Sequence, residues 1–320
     1  MVWPVTTERD GSGQLIIGGV PVSQLADEYG TPLYIYDEAT LRQRANAYRQ
    51  AFERHYPRAR VVYAGKAYLA TWLLPLLDEA GLWLDVVSGG ELYVAVHGGF
   101  PAERIVFHGN NKTPEELALA LDLGVGEIVI DNFYEIDVLE RLTAKRQGTL
   151  DVLLRLNPGV DAHTHEYRKT GIVDSKFGLL IESGDAARAV ERVLAVPGLR
   201  LRGYHAHIGS QIFDLEAYER LAEVLAALGE WPLLNLGGGL AIAYTREQTP
   251  PPVDEYVDAL LRRAPKGVTV LCEPGRSLVG NAGVTIYTVG TVKRIPGVRT
   301  YVAVDGGMSD NLRPMLYNAR

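Results

Sequence analysis

The stretch "VVYAGKAYLA", residues 61–70, decides the fold. Val61, Val62, Tyr63 and Ala64 form an apolar run suited to a buried strand, and Gly65 interrupts it just before Lys66. The first strand of a doubly wound sheet would be followed by a glycine-rich phosphate loop, and Ala64-Gly65-Lys66 lacks that pattern. The ammonium at the strand exit has two readings. Its stem covers apolar surface while its head meets water, or the amine is held in a partly dry pocket as a nucleophile, because desolvation favours the neutral, reactive form.

Seven further β-rich runs follow: "LDVVSGG", "IVFHGNN", "EIVIDN", "DVLLRLNPG", "LRLRGYHAHIGS", "LLNLGGG" and "VTVLCEPGR". Each ends in a polar or glycine cluster, and the segments between them suit amphipathic helices. Leu69 to Ala80 places Leu69, Trp72, Leu73, Leu76 and Leu77 at helical spacing before Gly81. Thr113-Pro114-Glu115-Glu116 is a helix start, with a capping hydroxyl, a first-turn proline and acids at the positive end. Leu215 to Leu228 repeats the apolar spacing before Gly229. Strands alternating with helices pair in parallel through right-handed crossovers, so eight units predict an α/β fold, a closed (β/α)8 barrel. In such barrels the site lies at the C-terminal mouth, with phosphate commonly held after strands seven and eight. "LGGGLA" and "EPGR" stand at those two places.

Both chain ends fall outside this alternation. Residues 14–36 and 284–305 carry strand-like runs separated by turn residues, which predicts a second, β-rich domain built from both termini. The expected boundaries are 1–36 for its N-terminal part, 37–280 for the barrel and 281–320 for the start of a C-terminal part that is incomplete. A β domain this small is marginal alone. "TPPP" at 249–252 reads as a rigid loop within the barrel.

The 320 residues suffice for a barrel plus a smaller domain, and 47% hydrophobic with 22% charged residues is ordinary globular composition. A net charge of -7 without a basic stripe disfavours nucleic-acid binding. One cysteine, Cys272, excludes an intramolecular disulfide and a multi-cysteine metal site. No 18-residue apolar span or charged-then-apolar leader is found, so no membrane association is expected and the cytoplasm is the default location.

Strand ends converge in a barrel, which brings together Lys66, Asp85 with Ser88, Asn110, Arg155, His205 with His207, Gly237 to Gly239, and Glu273 with Arg276. Three adjacent glycines let backbone N–H groups approach an anion, to which Ser210 and the Gly275-Arg276 turn add donors, though a triple glycine also makes a plain tight turn. Glu273, on top of a β-branched strand, requires a cation or proton donor, and a structural salt bridge would meet that need equally. His205 and His207 share strand parity; His205 reads as a hydrogen-bonded core residue and His207 as the one nearer a ligand. His163 and His165 lie in a polar loop without the cysteine or carboxylate pattern of a metal site, and no metal is expected. An amine, a phosphate cradle, a carboxylate and a stacking imidazole together match one cofactor, pyridoxal 5'-phosphate.

"YAGKA", "DVVSGGEL", "GNNK", "LRLNPGVDAHTH", "TGIVDSKFG", "HAHIGSQ", "NLGGGL", "EPGR" and "RPMLY" stand in the order seen in diaminopimelate decarboxylases, so the chain resembles that family of alanine-racemase-like PLP enzymes along essentially its whole length. The resemblance implies that Lys66 carries the PLP and His207 stacks on its ring. It implies that Ser210, Gly237, Gly238, Gly239 and the Pro274-Gly275-Arg276 turn hold the phosphate, and that Glu273 pairs with the pyridinium nitrogen. Arg276, Arg313 and Tyr317 match the family's substrate contacts. The implied activity is conversion of meso-2,6-diaminopimelate to L-lysine and CO2, in lysine biosynthesis, by a homodimer. A glutamate at the pyridine nitrogen argues against racemisation, and Arg313 offers a planar fork to a distal carboxylate where an ornithine or arginine decarboxylase would want an acid.

Two departures qualify the match. "YAGKAY" stands where the commoner form has valine before the lysine and asparagine after "KA". The family pattern also continues past the position of Arg320 with a Cys-Glu-Ser-Gly-Asp segment, whose cysteine is the usual proton donor, and a later tyrosine. Cys272 is not that cysteine and reads as a small buried residue. Other readings are therefore kept: a decarboxylase of the same fold for carboxynorspermidine, ornithine, arginine or a D-amino acid, or a PLP-binding homologue without catalysis.

Overall fold

The computed structural model describes residues 2–160 and 175–316. The eight runs are strands: β1 Ala59–Ala64, β2 Trp83–Val86, β3 Ile105–Phe107, β4 Glu127–Ile130, β5 Leu150–Asn157, β6 Leu199–His205, β7 Leu233–Asn235 and β8 Thr269–Cys272. Each pairs in parallel with the next, and β8 returns to β1 through Cys272 opposite Val61, which closes the barrel.

Register then sorts the lumen into layers, because every second residue of a strand faces the same side. Val62, Val106, Val129, Leu153, Leu233 and Leu271 pack into one buried cluster, with Trp83 against it. Beneath it, Arg60 pairs with Glu127 at 2.8 Å and lies over the Trp83 ring, so the narrow end is closed by a paired cation. Two residues further along the strands the same face turns polar: Asp85, His108, Asp131, Arg155, His205, Asn235 and Glu273. The pairings of Ala64 with Asp85, and of His205 with both Arg155 and Asn235, hold this layer level.

The helix from Pro114 to Leu123 starts as its sequence requires. Thr113 and Glu116 form a reciprocal capping box, and Gly124 ends the helix in the left-handed region. The helix Glu216–Ala226 also lies where the apolar spacing puts it. The stretch from Leu69 behaves differently: a 3₁₀ turn, Thr71–Leu73, precedes an α-helix confined to Leu74–Glu79. Pro75 stands in the first turn of that helix, lacks an N–H and crowds the preceding turn, so the α-helix begins there.

The chain groups into two compact units. One comprises Arg44–Ala241 with Pro250–Leu278 and contains the whole barrel. The other comprises Met1–Gln43, Ile242–Thr249 and Val279–Arg320. Within this second unit Glu8–Arg9, Leu15–Ile17 and Val20–Pro21 form a small antiparallel sheet. Leu33–Tyr36 pairs antiparallel with Gly283–Ile286, joining the two chain ends, and Val289–Ile295 pairs with Arg299–Val304. The expectation of strands throughout residues 14–36 needs one correction: Val22–Tyr29 is an α-helix. Val22, Leu25, Ala26 and Tyr29 follow the i, i+3, i+4, i+7 rule, a helical signal overshadowed by the strand runs on both sides.

Candidate active site

A cavity of about 550 Å³ opens at the mouth of the barrel, in the size range of small-molecule sites. Lys66, Asp85, His108, Asn110, Arg155, His205, His207 and Glu273 all line it. Lys66 does not extend β1. It stands in a 3₁₀ turn, Gly65–Ala67, because the strand ends at Ala64. That turn needs its glycine: a Cβ on Gly65 would come within 2.8 Å of the Asp85 carbonyl. Lys66 is exposed where the sequence allowed a partly dry pocket, so its place on the cavity wall, and not burial, sets it apart.

The glycine turn after β7 is packed directly behind His207 and Glu273. A Cβ on Gly238 would lie 1.9 Å from the Glu273 carbonyl oxygen, and Gly237 has a φ of 62°. The Gly238 N–H donates to His207 Nδ1 at 3.2 Å, which orients the imidazole and leaves Nδ1 as the acceptor. Burial, reinforced by the Lys66 charge, pushes the His207 pKa down to about 3, so the ring is neutral. Gly275 lies against Ala64, which precedes the Lys66 turn, and Ala67, which ends it, and the Pro274 carbonyl accepts the Ala64 N–H at 3.1 Å. Arg276 Nη2 donates to Ser210 Oγ at 3.0 Å. Lysine turn, glycine turn and acid therefore meet at one mouth.

Glu273 is buried and met by side chains from three other strand ends. Asn235 Nδ2 donates to Oε1 at 2.6 Å, His205 Nε2 lies 3.1 Å from Oε2, and His108 Nε2 comes to 2.7 Å of Oε1. Burial alone would raise its pKa, but the two histidines outweigh that and hold the carboxyl well below its usual range. His205 is pushed down to about 3 by burial and so meets Glu273 as a neutral donor. Asp85 takes the opposite course: burial carries it from 3.8 up to about 6, and its Oδ1 has no hydrogen-bond partner.

His108, His205 and Glu273 place three ligand atoms within 4.8 Å of one another. The histidine-to-carboxylate separations of 2.7 and 3.1 Å are those of direct contacts. Two ligands about 2 Å from a tetrahedral ion stand about 3.3 Å apart. The acid and the two imidazoles thus contact one another directly, and all three line the cavity.

Of the residues grouped at the mouth from sequence, Ser88 has another role. The Ser88 side chain accepts the Glu91 N–H and caps the helix Gly89–His97. Arg313 belongs to the second unit, where its guanidinium lies 3.9 Å from the Tyr244 ring centroid. Tyr317, His163 and His165 lie outside the described residues. His108 was missed by sequence reasoning. It stands two positions after the core residue Val106, and the same parity marks Asn235 after Leu233 and Glu273 after Leu271.

Set beside known proteins, residues 38–280 match the sequence model of a family described as pyridoxal-dependent decarboxylase, pyridoxal binding domain. The chain is 50% identical over 332 residues to a diaminopimelate decarboxylase of Bacillus subtilis, covering 98% of this chain and 76% of that one. It is 44% identical to a diaminopimelate decarboxylase of Mycobacterium tuberculosis, covering 100% and 76%. Among solved structures, a diaminopimelate decarboxylase of M. jannaschii in complex with L-lysine superposes with a TM-score of 0.93 at 33% identity, covering 100% of this chain and 77% of the other.

Proposed function

Because the chain belongs to the pyridoxal-dependent decarboxylase family, we propose that it binds pyridoxal 5'-phosphate at the barrel mouth and converts meso-2,6-diaminopimelate to L-lysine and CO2. The observation that carries this reading is that Lys66, His207 and Glu273 line one cavity, with the Gly237–Gly239 turn packed against His207 and Glu273. The residues fit the cofactor's two ends. At one, the Ser210 hydroxyl and the Arg276 guanidinium, 3.0 Å apart beside the glycine turn, are a set suited to phosphate. At the other, an ionised and clamped carboxylate suits a protonated pyridine nitrogen.

When bound, the cofactor supplies the electron sink into which the broken Cα–carboxylate bond empties. The chain's own groups do the rest. The Lys66 amine, on the cavity wall, would hold the cofactor. Glu273 would hold a proton at the ring nitrogen and His207 would pack beside the ring, while Pro274, Gly275 and Arg276 set the exit of β8 beside the Lys66 turn. Arg276, Arg313 and Tyr317 take the substrate, with the planar forks of the arginines suited to carboxylates. The substrate is a small amino acid and no nucleic acid is involved.

No helix among the described residues is long and apolar enough to cross a membrane. The cytoplasm is the location in this reading. A homodimer is the form in which it works, and the exposed Val289, Val292, Tyr301 and Val302 of the second unit supply apolar surface that a second copy would cover.

The test is CO2 release from diaminopimelate, compared with lysine and ornithine, on protein loaded with pyridoxal 5'-phosphate. We expect activity with diaminopimelate alone, and loss of both activity and the long-wavelength absorbance of the lysine-linked cofactor in Lys66→Ala. Cofactor absorbance that survives Lys66→Ala refutes the anchor, and release from ornithine in preference refutes the substrate.

A further inference from the structure

Glu273 carries more support than pairing with one cofactor atom requires. Asn235 and His108 both approach Oε1, at 2.6 and 2.7 Å, while Oε2 meets His205 alone, at 3.1 Å. An ionised carboxylate has about four lone-pair sites. Asn235 and His205 fill two, His108 Nε2 at 2.7 Å crowds the second site on Oε1, and the site left open is on Oε2. We propose that His205 and His108 are positioning residues which, together with Asn235, leave Glu273 a single lone pair that only a protonated ring nitrogen can complete.

This inference rests on the cofactor reading above and deepens it. A neutral pyridine nitrogen would set its lone pair against that of Oε2, whereas a protonated one donates. The clamp thereby selects where the proton sits. Its parts hold one another in place: the two imidazole rings meet edge to face, with centroids 4.7 Å apart and planes at 71°. Asn235 Oδ1 accepts the Gly237 N–H at 3.0 Å, and the Glu273 N–H donates to the Gly237 carbonyl at 2.7 Å. The acid at the ring end and the turn at the phosphate end are thus one hydrogen-bonded unit.

Protonation of the two rings follows from the same contacts. His205 Nδ1 is buried without a hydrogen-bond partner, so the ring's one proton belongs on Nε2, facing Glu273. His108 Nε2 meets the carboxylate off the ideal hydrogen-bond line and also lies 4.0 Å from Asp85 Oδ1. The other ionisable groups facing this cluster are Asp85, Arg155, Lys66 and His207 from the cavity and Asp131 beside His108, with Cys272 and Tyr256 behind it.

Two measurements test the proposal. In cofactor-free wild-type protein, nitrogen-15 spectra of the histidine side chains should show His205 protonated at Nε2 and bare at Nδ1; the reverse tautomer overturns the clamp. In protein loaded with ring-nitrogen-15 pyridoxal 5'-phosphate, His205→Phe should lower the pKa of the ring nitrogen by about one unit or more, the scale of one lost charge-assisted donor. His205→Gln, which keeps an N–H donor, should restore most of it, and His108→Phe should shift it in the same direction. A bound cofactor whose ring nitrogen titrates alike in wild type and both phenylalanine variants overturns this inference alone. Absence of Lys66-dependent cofactor absorbance in wild type overturns the cofactor reading and this inference with it. The tautomer measurement uses no variant, so it decides the matter even where a substituted chain fails to fold.

Discussion

Asp85→Asn should make the cofactor-free protein more stable at neutral pH. The Asp85 carboxyl is 1% exposed, and Oδ1 has no hydrogen-bond partner. Burial is the main cause of its rise from 3.8 to about 6; the nearby Glu273 charge adds to it, while His108 and Lys66 oppose it. At about 1.4 kcal/mol per pH unit, that rise corresponds to about 3 kcal/mol. The sign follows from the direction. Above pH 6 the group is ionised in both folded and unfolded chains, and the folded chain bears the whole cost. Below 3.8 it is protonated in both and the cost vanishes, so this group removes stability as pH rises between those limits. Asparagine has the same shape and no charge. Urea unfolding of wild type and variant at pH 4 and pH 8 gives the comparison: near-equal stabilities at the lower pH and a variant more stable by up to about 3 kcal/mol at the higher. A variant equally stable or less stable at pH 8 would falsify the assignment of an uncompensated charge to Asp85.

Two further perturbations address the scaffold around the mouth. Lys112 is buried, pairs with Glu135 at 2.9 Å, and donates to the Gly109 and Val129 carbonyls, so Lys112→Met leaves a buried carboxylate alone. A loss of about 3–5 kcal/mol in urea unfolding at pH 7 is expected, shrinking at pH 5 because burial already raises the Glu135 pKa; a loss that does not change with pH points to packing instead. Gly238→Ala drives a Cβ into the Glu273 carbonyl, whereas Gly90→Ala meets nothing closer than Ser88 Oγ at 3.7 Å. Thermal melts and pyridoxal 5'-phosphate titration should show the first destabilised by about 1–3 kcal/mol with weakened binding, and the second unchanged or stabilised by up to about 1 kcal/mol; equal behaviour of the two contradicts the close approach.

The barrel was legible because its punctuation is local. Each strand is a short apolar run ending in glycine or polar residues, and parallel pairing needs nothing more specific than the helix that follows. Thr113 and Glu116 announced their helix through side chains that satisfy its first N–H groups, a rule acting over three residues. Ser88 obeys the same rule with Glu91, and reading its "SGGE" as a cap would have removed it from the mouth. What sequence could not supply was mutual orientation. That Gly238 must be glycine because Glu273 passes beneath it depends on the two loops meeting across 34 intervening positions, and no pattern along either loop encodes that distance.

The polar layer also explains why the residues easiest to read as chemistry were not its full membership. Lys66 and the glycines stand out by type, whereas His108, Asn235 and Asp131 are single polar letters at the ends of apolar runs. Strand parity recovers them, since each follows a core residue by two. One lumen thus does two opposed things. Its lower layer of valines and leucines stabilises the barrel by burial, while the layer above removes carboxylates from water in order to aim them. At Glu273 the Asn235 and His205 donors and the nearby His108 imidazole offset that cost, and the carboxylate stays charged. At Asp85 one oxygen has none, and the cost remains in the folded state. A substitution that relieves it should stabilise the fold and impair the site together, as expected where stability has been spent on function.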